Sequence, residues 1–167
     1  LEKGVRENPS EWRLFHNLGF IHWQAGRYKE AGKAYSAGAN VAGAPAWMHA
    51  MAAQMEANGG SRAVAREMYT RLYEGTSDAQ IKMLAASRLT QLLSLDERDA
   101  IRRALSDFRA RTSRCPASWR EVATLLRPMK LKLDSSGAPL DPLGVPYVLD
   151  PAACDVRLDE RSEVPKK

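Results

Sequence analysis

Trp12-Arg13-Leu14-Phe15-His16-Asn17-Leu18-Gly19-Phe20-Ile21-His22-Trp23-Gln24-Ala25-Gly26-Arg27-Tyr28-Lys29-Glu30-Ala31, running on to Tyr35, is the stretch that decides the fold. Adding 34 to its key positions turns Gly19 into Ala53, Gly26 into Gly60, Ala31 into Ala65 and Tyr35 into Tyr69. Four small, turn-forming or aromatic positions recurring at one period mark an internal repeat, and such a period must be read before any single element. Gly19 and Ala53 are small where a second helix crosses the first, Ala31 and Ala65 face them, and Tyr35 and Tyr69 fill the space between neighbouring helices. Gly26 and Gly60 fall where a helix ends in the left-handed conformation that glycine adopts at little cost.

These residues at this spacing resemble the tetratricopeptide (TPR) repeat. The resemblance covers roughly residues 1 to 95, and it implies an α-solenoid of antiparallel helix pairs. Run backwards, the register places Pro9 after a second helix, so the chain opens inside the B helix of an earlier repeat, with Gly4 at a small-residue position. Run forwards, it places Met83, Ala86 and Ser87 on a third A helix and then fails, because Asp99 and Arg103 stand where Ala and Tyr stood before. The expected helices are 11 to 24, 28 to 40, 45 to 58, 61 to 73 and 78 to 94. A capping helix from about Asp96 to Thr112 follows them. The expected divisions are a TPR array over 1–95, capping helices with a basic stretch over 96–132, and a β-hairpin tail over 133–167.

What such an array does depends on its groove. The resemblance implies a concave surface lined by Arg13, His16, Phe20, Trp23 and Gln24 from the first A helix, and by Trp47, Gln54 and Asn58 from the second. An aromatic and amide-rich surface of that kind suits a peptide or another protein subunit. The competing reading is that Trp23 and Trp47 pack against neighbouring repeats. The lysine and asparagine clamp that some TPR domains use for a terminal carboxylate is absent, since His16, Phe20, Met51, Ile81 and Ala85 stand in its places.

Beyond the repeats, Ile101, Leu105 and Phe108 form one apolar stripe, while Arg102, Arg103, Arg109 and Arg111 form a basic patch that turns elsewhere. Residues 101 to 132 carry a net +7 within a chain of net +5. Clustered arginine raises the question of nucleic acid. No accompanying nucleic-acid motif is present, so contact with an acidic protein or with anionic lipid head groups is the favoured account. Asp134-Ser135-Ser136-Gly137 and Asp141-Pro142-Leu143-Gly144 read as turns. Pro146 to Leu149 and Cys154 to Leu158 read as a β-hairpin, with Cys154, Val156 and Leu158 on one face. The Asp141-Pro142-Leu143-Gly144-Val145-Pro146-Tyr147 run is similar to the Asp-Pro-x-Gly-x-Pro-Tyr element of type II secretion pseudopilins, and the tail resembles that of a group of bacterial envelope TPR proteins. If the hairpin folds back on the short helix that carries Trp119, Cys115 and Cys154 come together as a disulfide, and a disulfide implies an extracytoplasmic home.

The rest of the composition narrows the class. The 167-residue chain is 44% apolar and 27% charged, ordinary for a folded globular protein. No apolar run reaches the roughly 20 residues a membrane span needs. The opening Leu1-Glu2-Lys3-Gly4 reads as the end of a helix whose beginning is missing, so a signal or anchor ahead of it is expected. His16, His22 and His49 make no metal pattern, and neither a catalytic triad nor a phosphate loop is recognisable, so no catalysis, metal, cofactor, nucleic acid or small-molecule substrate is expected. Taken together, the residues and the resemblance imply a non-catalytic, periplasmic or extracytoplasmic scaffold. It would be an accessory or assembly subunit of a membrane-associated complex of the secretion or pilus, respiratory or photosynthetic kind. The alternatives are a freestanding intracellular TPR adaptor and a nucleic-acid-binding protein acting through the basic helix.

Overall fold

In the computed structural model, which describes residues 1–166, the chain is mainly helical with a small two-stranded antiparallel sheet. The helices are α1 (Glu2–Glu7), α2 (Trp12–Gln24), α3 (Tyr28–Ala39), α4 (Trp47–Asn58), α5 (Arg62–Gly75), α6 (Ala79–Thr112) and α7 (Ala123–Leu126). Two 3-10 turns, Trp119–Val122 and Arg127–Met129, flank α7, and the strands are β1 (Val148–Asp150) and β2 (Asp155–Arg157). The chain forms two compact units, Leu1–Leu89 and the remainder from Thr90.

In the first unit, the positions that repeat at 34 residues are the positions that pack. Ala31, Tyr35, Ala53 and Ala65 are fully buried, and Tyr69 nearly so. A Cβ placed on Gly19 would stand 2.9 to 3.0 Å from three Tyr35 ring atoms, closer than real side chains approach. Glycine at 19 is therefore what lets α3 lie against α2. Ala31, Tyr35, Met48, Ala52 and Met55 form one apolar cluster, against which Trp12, Phe15 and Trp47 pack. Gly26 and Gly60 follow α2 and α4 with φ of +70° and +89°, the left-handed conformation expected of a residue just past a helix end. The two tyrosines differ in one respect. Tyr69 donates its hydroxyl hydrogen to the Ala50 carbonyl at 3.2 Å, whereas the buried Tyr35 hydroxyl has no hydrogen-bond partner.

The expected break between a third A helix and a capping helix does not occur. α6 is one helix of 34 residues, containing neither glycine nor proline, so no local signal ends it where the repeat register fails. The register fails because packing partners change, and a change of partner does not itself terminate a helix.

The second unit is built on the later part of α6. Ile101, Ala104, Leu105 and Phe108 meet Trp119, Val122, Leu126, Tyr147 and Val156 in one core. Cys115 and Cys154 form a disulfide with Cα atoms 5.4 Å apart, closing a separation of 39 residues. The expected hairpin is present: Val148 pairs with Arg157, Leu149 with Val156 and Asp150 with Asp155. Val156 is fully buried and Leu158 packs partly against the core, as the alternation predicts. Ser118 stands at the cap of the Trp119 turn but makes no cap bond with its side chain. Glu121 does that work instead, accepting from the Ala117 amide at 3.1 Å.

Ahead of the hairpin, one turn design occurs twice, seven residues apart. Asp134 Oδ1 accepts from the amides of Ser136 and Ala138, and Asp141 Oδ1 accepts from those of Leu143 and Val145. Gly137 and Gly144 both sit at φ +88°, and each Asp-x-x-Gly-x-Pro run closes on an isolated bridge, Leu133 to Pro139 and Leu140 to Pro146. Aspartate is needed at the first position because its short carboxylate reaches two amides of its own turn.

Candidate functional site

The α2 residues expected to face a groove, Arg13, His16, Phe20, Trp23 and Gln24, fall within roughly 100° of the helix circumference at 100° per residue. The structure gives them different work. Arg13 is held between Glu11, 3.2 Å from its guanidinium, and the Trp12 ring, 4.7 Å from its centre. His16 is half-buried, edge-on to Trp47 at 5.3 Å and tilted against Tyr35 at 5.9 Å. Trp12 meets Trp47 edge-on at 5.9 Å. Trp47 is thus half-buried in the seam between α2 and α4.

Phe20 and Trp23 are another matter. They lie one turn apart with ring centres 5.5 Å apart, and they remain 40% and 42% exposed. They form an exposed aromatic pair on the surface of α2. Gln24 is exposed as well, and on α4 the Gln54 amide donates to Asn58 Oδ1 at 2.9 Å. The ring contacts thus fall into two groups, an internal one around Trp47 and an external one at Phe20 and Trp23.

The basic patch is less uniform than its sequence. Arg102 is tied down: its Nε donates to Asp155 Oδ1 at 2.6 Å, one terminal nitrogen to Asp99 at 3.0 Å and the other to the Val156 carbonyl at 3.3 Å. It fastens α6 to β2, and this bond holds the Asp155 carboxyl below its ordinary range. Arg103, Arg109 and Arg111 are exposed, and at 100° per residue Arg103 and Arg111 lie roughly 80° apart on one side of α6, whereas Arg109 lies roughly 120° or more from both. The run of sequence charge is therefore not one surface, and Asp155, 53 residues away, could not be matched to Arg102 from spacing alone.

The Asp141–Tyr147 motif is structural. Asp141 is almost fully buried, and its second oxygen accepts from the Ser162 hydroxyl at 2.5 Å. The Tyr147 hydroxyl lies 3.0 Å from Ser94 Oγ and 2.7 Å from Glu97 Oε2. Burial raises the Glu97 carboxyl above its ordinary value, with the charges of Asp141 and Asp96 adding to the effect and the Tyr147 hydrogen bond opposing it. Burial likewise raises the Tyr147 hydroxyl. These groups fasten the turn to α6.

The three histidines have separate surroundings. His16 is in the aromatic seam, His22 Nδ1 accepts from Arg27 Nε at 3.0 Å, and His49 lines a cavity of about 480 Å³ between the ends of α3, α4 and α5. Among the described residues no group of three or more His, Cys, Asp or Glu could hold a metal ion, and no helix is long and apolar enough to cross a membrane. The cavity is lined by none of the expected groove residues, and the signal that could have found it lies in the repeat itself, at position 49. Compared with protein-family models, with characterised proteins and with solved structures, the chain matches none.

Proposed function

We propose that this chain is a TPR-type α-solenoid that binds another protein subunit without catalysing a reaction, and that it serves as an accessory or assembly subunit of a membrane-associated complex outside the cytoplasm. The observation that carries the proposal is the exposed Phe20–Trp23 pair on a helix whose other side is locked into a repeating core. A rigid helix presenting a ready-paired aromatic anchor loses little side-chain freedom on binding. The 34-residue spacing of Gly19, Ala53, Ala31, Ala65, Tyr35 and Tyr69, each buried in the core, supports the solenoid reading. The Cys115–Cys154 disulfide supports an oxidising compartment over the intracellular adaptor, because cytosolic thiols are kept reduced. The engagement of Arg102 by Asp155 and Asp99, and the separation of Arg109 from Arg103 and Arg111 around α6, speak against a single nucleic-acid surface on that helix.

The test is to replace Phe20 and Trp23 by alanine, singly and together, and to measure complex size in gently solubilised membranes. Truncating a buried anchor aromatic costs about 2 kcal/mol or more in affinity, so each variant should release the chain from the complex while its circular dichroism is unchanged. Variants that fold and stay in the complex would show that the docking surface lies elsewhere. Thiol labelling of the unfolded protein, taken directly from cells, tests the compartment: two reactive thiols without reductant would contradict it.

A further inference from the structure

The cavity between the ends of α3, α4 and α5 exists because the repeat changes its filling there. Phe15 sits at the register position that becomes His49 after 34 residues, and Gly38 sits at the one that becomes Leu72. In the first repeat, a Cβ on Gly38 would come 2.5 Å from Met48 Cε and 2.6 Å from Phe15 Cβ, so the glycine lets both residues close in, and Phe15 packs on the core. In the second repeat the ring is replaced by an exposed imidazole. His49 and Leu72 both line an open space of about 480 Å³ instead of closing it.

The walls of that space have a consistent chemistry. Met68 and Leu72 supply an apolar floor, and Ser36, Asn40, His49 and Arg71 supply polar groups around it. No aspartate or glutamate is among its lining residues. Arg71 donates from one terminal nitrogen to Glu67, one turn earlier on α5. A guanidinium has five N–H donors, so this leaves Arg71 able to donate to a second acceptor. A void of this size, lined by apolar side chains and hydrogen-bond donors, is the form of a small-ligand site.

We infer that this cavity binds a small oxyanion, carboxylate or phosphate, joined to a short apolar body. The anion lies toward Arg71, His49 and Asn40, and the apolar body lies on Met68 and Leu72. Arg71 favours the oxyanion because its planar fork matches carboxylate and phosphate oxygens in pairs. The site is independent of the protein-binding reading, since Phe20 and Trp23 do not line it.

The experiment uses the full chain with its disulfide intact and titrates it calorimetrically with hexanoate and with hexyl phosphate. Hexanol and inorganic phosphate are the controls that lack one half of the ligand. At least one of the two amphiphilic anions should bind tenfold or more tightly than either control, and the stronger of the two identifies the oxyanion. His49→Phe puts an apolar ring in place of the imidazole that lines the space and should remove binding while the protein stays folded. Arg71→Gln, which leaves the cavity open and changes an exposed side chain, should weaken binding at least tenfold. Equal binding of anions and controls, or full affinity in Arg71→Gln, would overturn the inference. So would full affinity in a folded His49→Phe protein.

Discussion

Tyr35 and Tyr69 occupy the same place in two successive repeats, yet removing their hydroxyl oxygens should move stability in opposite directions. Both are buried, at 0% and 2% exposure. Tyr69 donates to the Ala50 carbonyl at 3.2 Å, and Tyr69→Phe loses that bond, a net cost of about 1 kcal/mol. The repeat-equivalent acceptor for Tyr35 is the carbonyl of His16, but the Tyr35 hydroxyl has no partner. A buried hydroxyl without a partner costs about 1–3 kcal/mol of desolvation. Phenylalanine removes that cost and keeps the ring that fills the hollow over Gly19, so Tyr35→Phe should leave stability unchanged or raise it by about 1 kcal/mol. The two variants should therefore differ by about 2 kcal/mol, a factor of about 30 in the folding equilibrium. Urea unfolding followed by tryptophan emission suits the measurement, because Trp12, Trp23 and Trp47 all lie in the first unit. With a slope of about 2 kcal/mol/M, the midpoints should separate by about 1 M. If Tyr35→Phe destabilises as much as Tyr69→Phe, the account of how the two repeats differ is wrong.

Removing the disulfide by Cys115→Ser and Cys154→Ser frees a loop spanning 39 residues and, in the chain-entropy model, costs about 4 kcal/mol. Trp119 in the second unit should then report unfolding at much lower urea, and an unchanged midpoint under reductant would refute this. Two carboxyls give the second unit opposite responses to pH. The folded pKa of Asp155 lies below its ordinary 3.8, so the stability it adds is present above that value and is lost as pH falls through the lower folded value. Glu97 is raised above 4.5, so its contribution is present below that value and is lost as pH rises through the raised one. Arg102→Met should weaken the acid-side loss, and Glu97→Gln should flatten the decline on the other side. Unfolding free energies from about pH 3 to pH 7 check both, and a Glu97→Gln protein that keeps the wild-type decline above 4.5 contradicts the assignment.

The parts of the fold that repeat were legible because small residues are forced where helices cross. Gly19 against Tyr35 is a steric necessity, and a steric necessity leaves a mark at fixed spacing. The hairpin was legible for a similar reason: Cys154, Val156 and Leu158 alternate, and one side must be buried. The length of α6 was misread because the loss of the repeat was taken for the end of a helix, although no glycine or proline lies between Ala79 and Thr112. Arg102 was misread because its partners come from a strand far along the chain, and sequence charge carries no record of them. At the candidate site, the sequence does not distinguish aromatic residues that are packed from those that are exposed. Trp47 and Trp23 are the same amino acid, and packing against Trp12 and His16 distinguishes the internal one from the exposed one.

The central claim, that the Phe20–Trp23 face holds another protein, is tested most directly by a photo-crosslinking residue placed at position 23 in the native cell. Parallel substitutions at position 20 and at Lys33, an exposed residue of α3, provide the comparison. The account predicts one discrete partner adduct from positions 20 and 23 and none from position 33. Adducts equally strong at all three positions, or none at position 23 in a folded protein, would contradict it.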